Sequence, residues 1–266
     1  MSFDPDLPEW TYRSRREQLL RAAGLFVVLI AVIWSYDGID LNTTFLKTAH
    51  IQALDMLRRA WPPDIGYFFE ILSPLLMTVH IALLGTVLAA VLSIPVALLA
   101  AENITPNRAT MLVGQLITTV SRSVSSIIWA LIFVIMFGSG PLAGVLALSV
   151  KSIGFIGRML REGIEEIDPT SVEAIEATGA TKWLTILYGI VPQIKPVFIG
   201  VSIYEVEGNV RGATILGFVG AGGIGVQLKT SINFLAWDQA MTIIIAILGL
   251  VVVGEYVSAK LRALVQ

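Results

Sequence analysis

The chain has 266 residues and a formal net charge of −2; 55% of its residues are hydrophobic and 14% charged, and its mean hydropathy is +0.78. Soluble domains carry about 25% charged residues, so the polar surface that a water-soluble protein of this length needs is missing. There is no cysteine and there are only two histidines, His50 and His80, which excludes disulfides, thiolate metal sites and cysteine nucleophiles and argues against histidine metal clusters or Ser-His-Asp chemistry.

The apolar residues fall into runs long enough to cross a bilayer. The first, 19–36, follows Arg13, Arg15 and Arg16, with Arg21 at its start. The basic stretch is too long, and a small-x-small site too hard to find, for a cleaved signal peptide, so an uncleaved first helix is expected. Residues 41–60, ending at Trp61-Pro62-Pro63, read as an amphipathic surface helix outside the membrane. The second run, 71–100, has Pro74 and Pro95 near its ends and Gly85, Ala89, Ser93 and Ala97 at every fourth position. Such a row lets another helix of the same subunit approach closely. The third run, 111–137, holds a polar knot, Ser121-Arg122-Ser123-Val124-Ser125-Ser126, and the fourth, 141–157, contains Lys151. The fifth, 197–219, contains Glu205, Glu207, Asn209 and Arg211; the sixth, 240–257, ends before Lys260 and Arg262. Between the last two, Gly220-Ala221-Gly222-Gly223-Ile224-Gly225 matches G-x-G-x-x-G. A dinucleotide site needs a βαβ unit around that pattern, and a membrane helix precedes it here, so a flexible or tightly turned external loop is expected.

Six crossings with a cytoplasmic N-terminus put 11 Lys and Arg in the cytoplasmic segments and four (Lys47, Arg58, Arg59 and Lys229) outside. That bias is the one the positive-inside rule requires, and it places both termini in the cytoplasm.

The polar insertion 158–193 is then cytoplasmic and reads as two short helices. Asp168 caps the first, Pro169 opens it and Gly179 ends it. The second runs from about Thr181 to Gly189, before Pro192. A short projecting helix with small Ala174, Ala177 and Gly179 and the charge of Glu173 can enter a cleft on a partner.

Ionisable groups at bilayer depth cost roughly 2.5–3.5 kcal/mol each on insertion scales, so they turn inward and find partners. Glu207 and Arg211 are four residues apart, as are Glu205 and Asn209, so Glu207 can neutralise Arg211 along one helix face. Arg122 and Lys151 have no local partner; they guide a small anion, or Lys151 pairs with Glu205 between helices.

Glu173-Ala174-Ile175-Glu176-Ala177-Thr178-Gly179, with Pro192 thirteen residues after the glycine, resembles the EAA loop of bacterial ABC importer permeases. Ile175 replaces the pattern's second Ala, and Gly189 and Val191 its Ile and Leu. Ser121 to Val124 with 127–133, Gly140 to Leu148, and Arg211 to Gly225 resemble the phosphonate-type subfamily, with Ser125 in place of a usual proline and Lys151 in place of a usual histidine. The resemblance implies an all-α integral membrane protein with the six-helix type I ABC importer permease fold, one permease domain over 1–266, in the bacterial inner membrane. It implies ATPase coupling through Glu173, Ala174, Glu176, Ala177, Thr178 and Gly179. The expected translocation path uses Ser121, Arg122, Ser123, Lys151, Glu205, Glu207, Asn209 and Arg211. The implied partners are two ATPase subunits, which carry ATP-Mg, a second permease subunit, an extracytoplasmic substrate-binding protein and the lipid bilayer. This chain itself is expected to bind no cofactor, metal or nucleic acid and to have no ATPase site. The expected cargo is a phosphonate or related small phosphorus oxyanion such as phosphite or phosphate. The alternative class is an ion-gradient-driven secondary transporter, which favours an inverted repeat and has no need of a docking loop.

Overall fold

In hydrocarbon every backbone N–H and C=O has to be satisfied within the protein, which leaves a chain of this composition to span as helices. The computed structural model describes residues 15–38, 43–105 and 107–263, and among them every regular element is helical. The chain divides into two units, residues 1–55 and 56–266. The first holds α1 (Arg15–Gly38), a spanning helix by length and apolarity, and most of α2 (Thr43–Ala60), the expected surface helix. The expected starts of that helix at residue 41 and of the basic flank at Arg13 lie outside the described residues.

The second unit is built around α6 (Pro141–Glu165), which packs on α3 (Tyr67–Ala100), on α4 (Arg108–Ser123) with α5 (Ser126–Phe137), and on α9 (Val191–Leu216). The small row of α3 faces this contact: Gly85, Ala89, Ser93 and Ala97 are all buried. A Cβ on Gly85 would lie 3.0 Å from Leu148 Cβ and 3.2 Å from the Val145 carbonyl. Dispersion at this range holds helices together where lipid offers no hydrophobic driving force. The expected pairing inside one subunit is thus what forms.

Three expectations are corrected. The third apolar run is not one continuous helix: α4 and α5 meet at a 93° bend across Val124-Ser125. Both linking residues are extended, with ψ of 130° and 142°. The polar knot supplies the groups that make the break cheap, because serine side chains offer the backbone alternative partners. Ser125 Oγ accepts from Ile127 N, and Trp129 Nε1 donates to the Ser121 carbonyl. The described residues therefore give five spanning helices, or six with the bent pair counted as one.

The second correction concerns 158–193. Helix α6 continues to Glu165, its last turns carrying Arg158–Glu162 at 2.7 Å and Arg161–Glu165 at 3.7 Å, both i,i+4 pairs. At the other end no helix stops before Pro192. Helix α8 (Lys182–Thr185) runs through a π turn at Ile186–Ile190 into α9. Val191 N bonds to the Ile186 carbonyl five residues back, and this wider turn carries the helix through a proline with no N–H to give. The connection proper is 166–181, with α7 (Pro169–Glu176) inside it.

The third concerns the glycines. Gly220, Gly222 and Gly223 have φ of 89°, 84° and 76°, so of the two forms expected the tight turn is the one present, but it is packed around the buried Ala221 rather than standing as a loop. A helix that the sequence reading missed, α10 (Ile224–Asn233), leaves it before α11 (Trp237–Ala263). Thr78 Oγ1 of α3 accepts from Ile224 N at 2.8 Å, and Gly140 N donates to the Gly220 carbonyl at 2.9 Å. A Cβ on Gly225 would sit 1.9 Å from the Thr214 carbonyl, and one on Gly217 2.5 Å from Gly225 Cα.

Gly225→Ala should therefore cost about 1–3 kcal/mol, the usual range for overpacking, and lower the melting temperature of the purified chain. Gly249→Ala, where nothing lies within 4 Å, should leave that temperature unchanged or raise it. Equal melting of the two variants would show that the corner is not packed as described.

Candidate translocation and docking sites

The second unit has two polar ends. At one end the C-termini of α3 and α6 meet α7 and the start of the Lys182 helix. Ala97, Ala101, Leu160, Ile164, Ile190 and Ile194 form a core there, with Val172 of α7 packed against it. Asn103 Nδ2 donates to the Ile164 carbonyl at 2.7 Å, and Glu102 N to Glu165 Oε1 at 3.1 Å. The glycine corner with Ser139 and Gly140 marks the opposite end.

Helix α7 is held at three points. Asp168 Oδ1 caps it by accepting from Thr170 N at 2.9 Å. Gln193 Oε1 accepts from Asp168 N while Gln193 Nε2 donates to the Gly189 carbonyl. Val172 and Ile175 point inward, and the space a Cβ on Gly189 would take lies 3.4 Å from Ile175 Cδ1. Two of the three departures from the EAA pattern thus compensate: a large side chain at 175 meets no side chain at 189. Gly179 closes the turn with φ of 80°. Glu173, Ala174, Glu176, Ala177, Thr178 and Gly179 are all exposed, on the surface left free by those anchors.

Of the path residues, the fold gathers Lys151, Glu205 and Asn209. Glu205 is 2% exposed, and its Oε1 accepts from Lys151 Nζ at 2.6 Å and from Ser152 Oγ at 2.7 Å. Asn209 Nδ2, one turn further along α9, reaches Ser152 Oγ at 2.8 Å and Thr86 Oγ1 at 2.9 Å. The chain links α3, α6 and α9 through one buried polar layer. Of the two roles open to Lys151, partner of Glu205 is the one the geometry gives. Its side chain is about a third exposed, and its ammonium is half of a neutral pair, so it presents no free positive charge.

Glu207 pairs with Arg211 at 3.0 Å, as the spacing predicts, and also lies 3.6 Å from Arg262 Nη1 of α11. Sequence reasoning missed Arg262 by placing it in a tail, and missed Ser152 and Thr86 because neutral hydroxyls break no hydropathy pattern. Ser121, Arg122 and Ser123 stand apart from both clusters, at the end of α4. Ser121 is buried, Ser123 Oγ donates to the Thr119 carbonyl at 2.8 Å, and Arg122 is exposed. No carboxylate among the described residues lies within ion-pair distance of Arg122. It borders a pocket of about 160 Å³ with Thr118, Thr119, Arg158 and Arg161.

A helical bundle broken in one span, with a polar layer at mid-depth and an anchored amphipathic helix at one end, is the architecture of an importer's membrane subunit. Residues 93–262 match the model of the binding-protein-dependent transport system inner membrane component, and the chain belongs to that family. It is 35% identical over 260 residues to the phosphite transport system permease protein PtxC of Stutzerimonas stutzeri, covering 93% of this chain and 94% of that one. It is 33% identical over 249 residues to the phosphate-import permease protein PhnE of Mycolicibacterium smegmatis, 93% of this chain but 47% of that longer one. Among solved structures, an inward-facing MetNI methionine ABC transporter superposes with a TM-score of 0.65 at 21% identity, over 76% of this chain and 99% of that one. A bacterial alginate ABC importer superposes with a TM-score of 0.55 at 17% identity, over 92% and 96%. The fold is that of type I ABC importer permeases, and family membership decides against the ion-gradient alternative.

Lys151→Gln leaves the Glu205 carboxylate with one hydroxyl partner in a buried site. Breaking a fully buried pair costs about 3–5 kcal/mol and partial exposure of the lysine lowers that, so the purified chain should melt below the native one, and Lys151→Gln with Glu205→Gln should recover most of the loss. A single variant as stable as the native chain would show that the pair does not hold α6 to α9.

Proposed function

We propose that this chain is the membrane-spanning subunit of an ATP-driven importer of a small phosphorus oxyanion, a phosphonate, phosphite or phosphate, delivered by an extracytoplasmic binding protein. The observation that carries the reading is the full-length similarity to a phosphite permease, joined to an anchored α7 with an exposed outer face. The α7 end faces the cytoplasm in this reading, in keeping with the excess of Lys and Arg in the segments assigned there. Both termini share that side in the six-crossing arrangement. Two ATPase subunits dock on α7 through Glu173, Ala174, Glu176, Ala177, Thr178 and Gly179, and hydrolyse ATP-Mg; the chain itself supplies no nucleotide site. A second permease subunit, the same chain or a related one, completes the path.

Rigid attachment makes the docking physically useful. Val172, Ile175 and the Gln193 hydrogen bonds tie α7 to the start of the helix that carries Glu205, Glu207 and Asn209. A displacement of α7 by the ATPase is therefore passed to α9 without being absorbed in a loose loop.

The test is uptake of labelled phosphite and methylphosphonate by proteoliposomes holding the assembled importer, its binding protein and internal ATP. ATP-dependent accumulation of either is expected, and accumulation of neither, in a complex that still hydrolyses ATP, overturns the cargo assignment. Glu173→Lys should abolish uptake or release the ATPase while leaving the melting temperature of the purified chain unchanged, because Glu173 is exposed and touches no core group. Normal uptake with normal ATPase retention would remove α7 as the docking element. The native chain has no cysteine, so Thr178→Cys and Ser139→Cys report orientation cleanly: the first should label from the cytoplasm, the second from outside. The reverse pattern overturns the orientation.

A further inference from the structure

Two of the arginines beside Arg122 belong to α6, and their convergence is a consequence of glycine. A Cβ on Gly154 would lie 2.7 Å from the Thr118 carbonyl and 2.8 Å from Arg122 N, and one on Gly157 would lie 3.1 Å from Thr118 Cγ2. Helix α4 therefore rests directly on the backbone of α6. One helical turn beyond Gly154 comes Arg158, and Arg161 follows nearly a turn later, beside the end of α4 that carries Arg122. The three side chains and the hydroxyl residues Thr118 and Thr119 wall the pocket of about 160 Å³.

Charge in the pocket is unbalanced. Arg158 Nε is 2.7 Å from Glu162 Oε1, and Arg161 lies 4.0 Å from Glu162 and 3.7 Å from Glu165. Arg122 has no such carboxylate among the described residues, so three guanidinium groups face two carboxylates. Arg161 Nε is buried 3.7 Å from Glu165 Oε2 and makes no hydrogen bond among the described residues. Guanidinium forks match the paired oxygens of phosphate-like groups, and threonine hydroxyls add neutral donors. At about 160 Å³ the pocket has room for a tetrahedral oxyanion.

We propose that this pocket is a weak binding station for a tetrahedral phosphorus oxyanion, on the α7 side of the Lys151–Glu205 layer. Arg122, Arg158 and Arg161 supply the donors. This rests on the proposed importer reading for its direction: with α7 in the cytoplasm, the station lies on the exit half of the path. Excess positive charge of about one unit attracts an anion without trapping it, as release requires. A lipid phosphate offers the same chemistry, and the experiment separates the two sources.

The full chain is placed in phosphatidylcholine nanodiscs and titrated with labelled inorganic phosphate at constant ionic strength set with chloride. Saturable binding that phosphite competes for is expected. Arg122→Gln should weaken it at least tenfold, and Lys182→Gln, a charge lost outside the pocket, should not change it. Arg122 is exposed and has no carboxylate partner among the described residues, so its replacement leaves the fold intact; melting temperature checks this, and Arg158→Lys provides a second variant that keeps the charge but loses the fork. Discs containing phosphatidylglycerol form the lipid arm. Loss of phosphate binding there, with phosphatidylglycerol retained by the native chain and released by Arg122→Gln in native mass spectrometry, makes a lipid headgroup the occupant of the same site. Phosphate and phosphatidylglycerol bound equally by the native chain and Arg122→Gln, or by neither, overturns the proposal. If the assembled importer still takes up phosphite in that case, only the station falls; binding lost in Arg122→Gln with no phosphorus oxyanion transported would remove the cargo assignment and keep the station.

Discussion

Helices in hydrocarbon have no water to exclude from between them, so what holds them together is close approach and the satisfaction of groups that lipid cannot solvate. Helix α6 meets both demands at once. Gly144, Gly154 and Gly157 let the Ala221 carbonyl, the Thr118–Arg122 backbone and the Thr118 side chain come to distances that any Cβ would obstruct. The same helix carries Lys151 and Ser152, which hold the one carboxylate among its neighbours that is 2% exposed, Glu205. Packing and polar satisfaction are therefore not separable here. If α9 moved away from α6 it would strip Glu205 of both donors, so the contact is set by the alternative being an unpaired charge in a low-dielectric interior.

That coupling also ties the bundle together along its length. Helix α9 is anchored to α7 at one end through Gln193 and the Ile175–Gly189 contact. It is joined to α6 and α3 at mid-depth by Glu205 and Asn209, and enters the glycine corner at the other end. The π turn at Ile186–Ile190 is the irregular point leading into α9, on the α7 side of the polar layer.

The sequence made the class, most of the apolar spans and the short capped helix α7 legible, since those depend on composition, run length and local caps. Asp168, Pro169 and Gly179 act as their residue types dictate, and Glu207–Arg211 follows from i,i+4 spacing alone. What stayed hidden is non-local or depends on competition between weak signals. Pro192 reads as a helix stop because proline lacks an N–H, yet a π turn absorbs the defect. The polar knot at 121–126 is visible, but a 93° bend needs the partners Ile127 N and Trp129 Nε1 to be placed. Gly220 to Gly225 look like loop residues, and only the 2.8 Å bond from Ile224 N to Thr78, across 146 residues, reveals a packed corner that starts a helix.

The same limit decided the cations. In the sequence Arg122 and Lys151 form one class: basic residues in apolar runs with no neighbour to neutralise them. In the fold they part company, because α9 brings Glu205 to Lys151 and nothing comparable to Arg122. Meanwhile Arg158 and Arg161, which hydropathy places beyond the end of a span, come to lie beside Arg122 because α6 runs straight on to Glu165. A charge that is paired at 2.6 Å fixes structure and contributes little field beyond its partner, whereas an unpaired one in a wet pocket sets the local potential. The cluster at the end of α4 therefore keeps a net positive charge among the described residues, whereas the lysine in the middle of the fourth span is bound into the contact between α6 and α9.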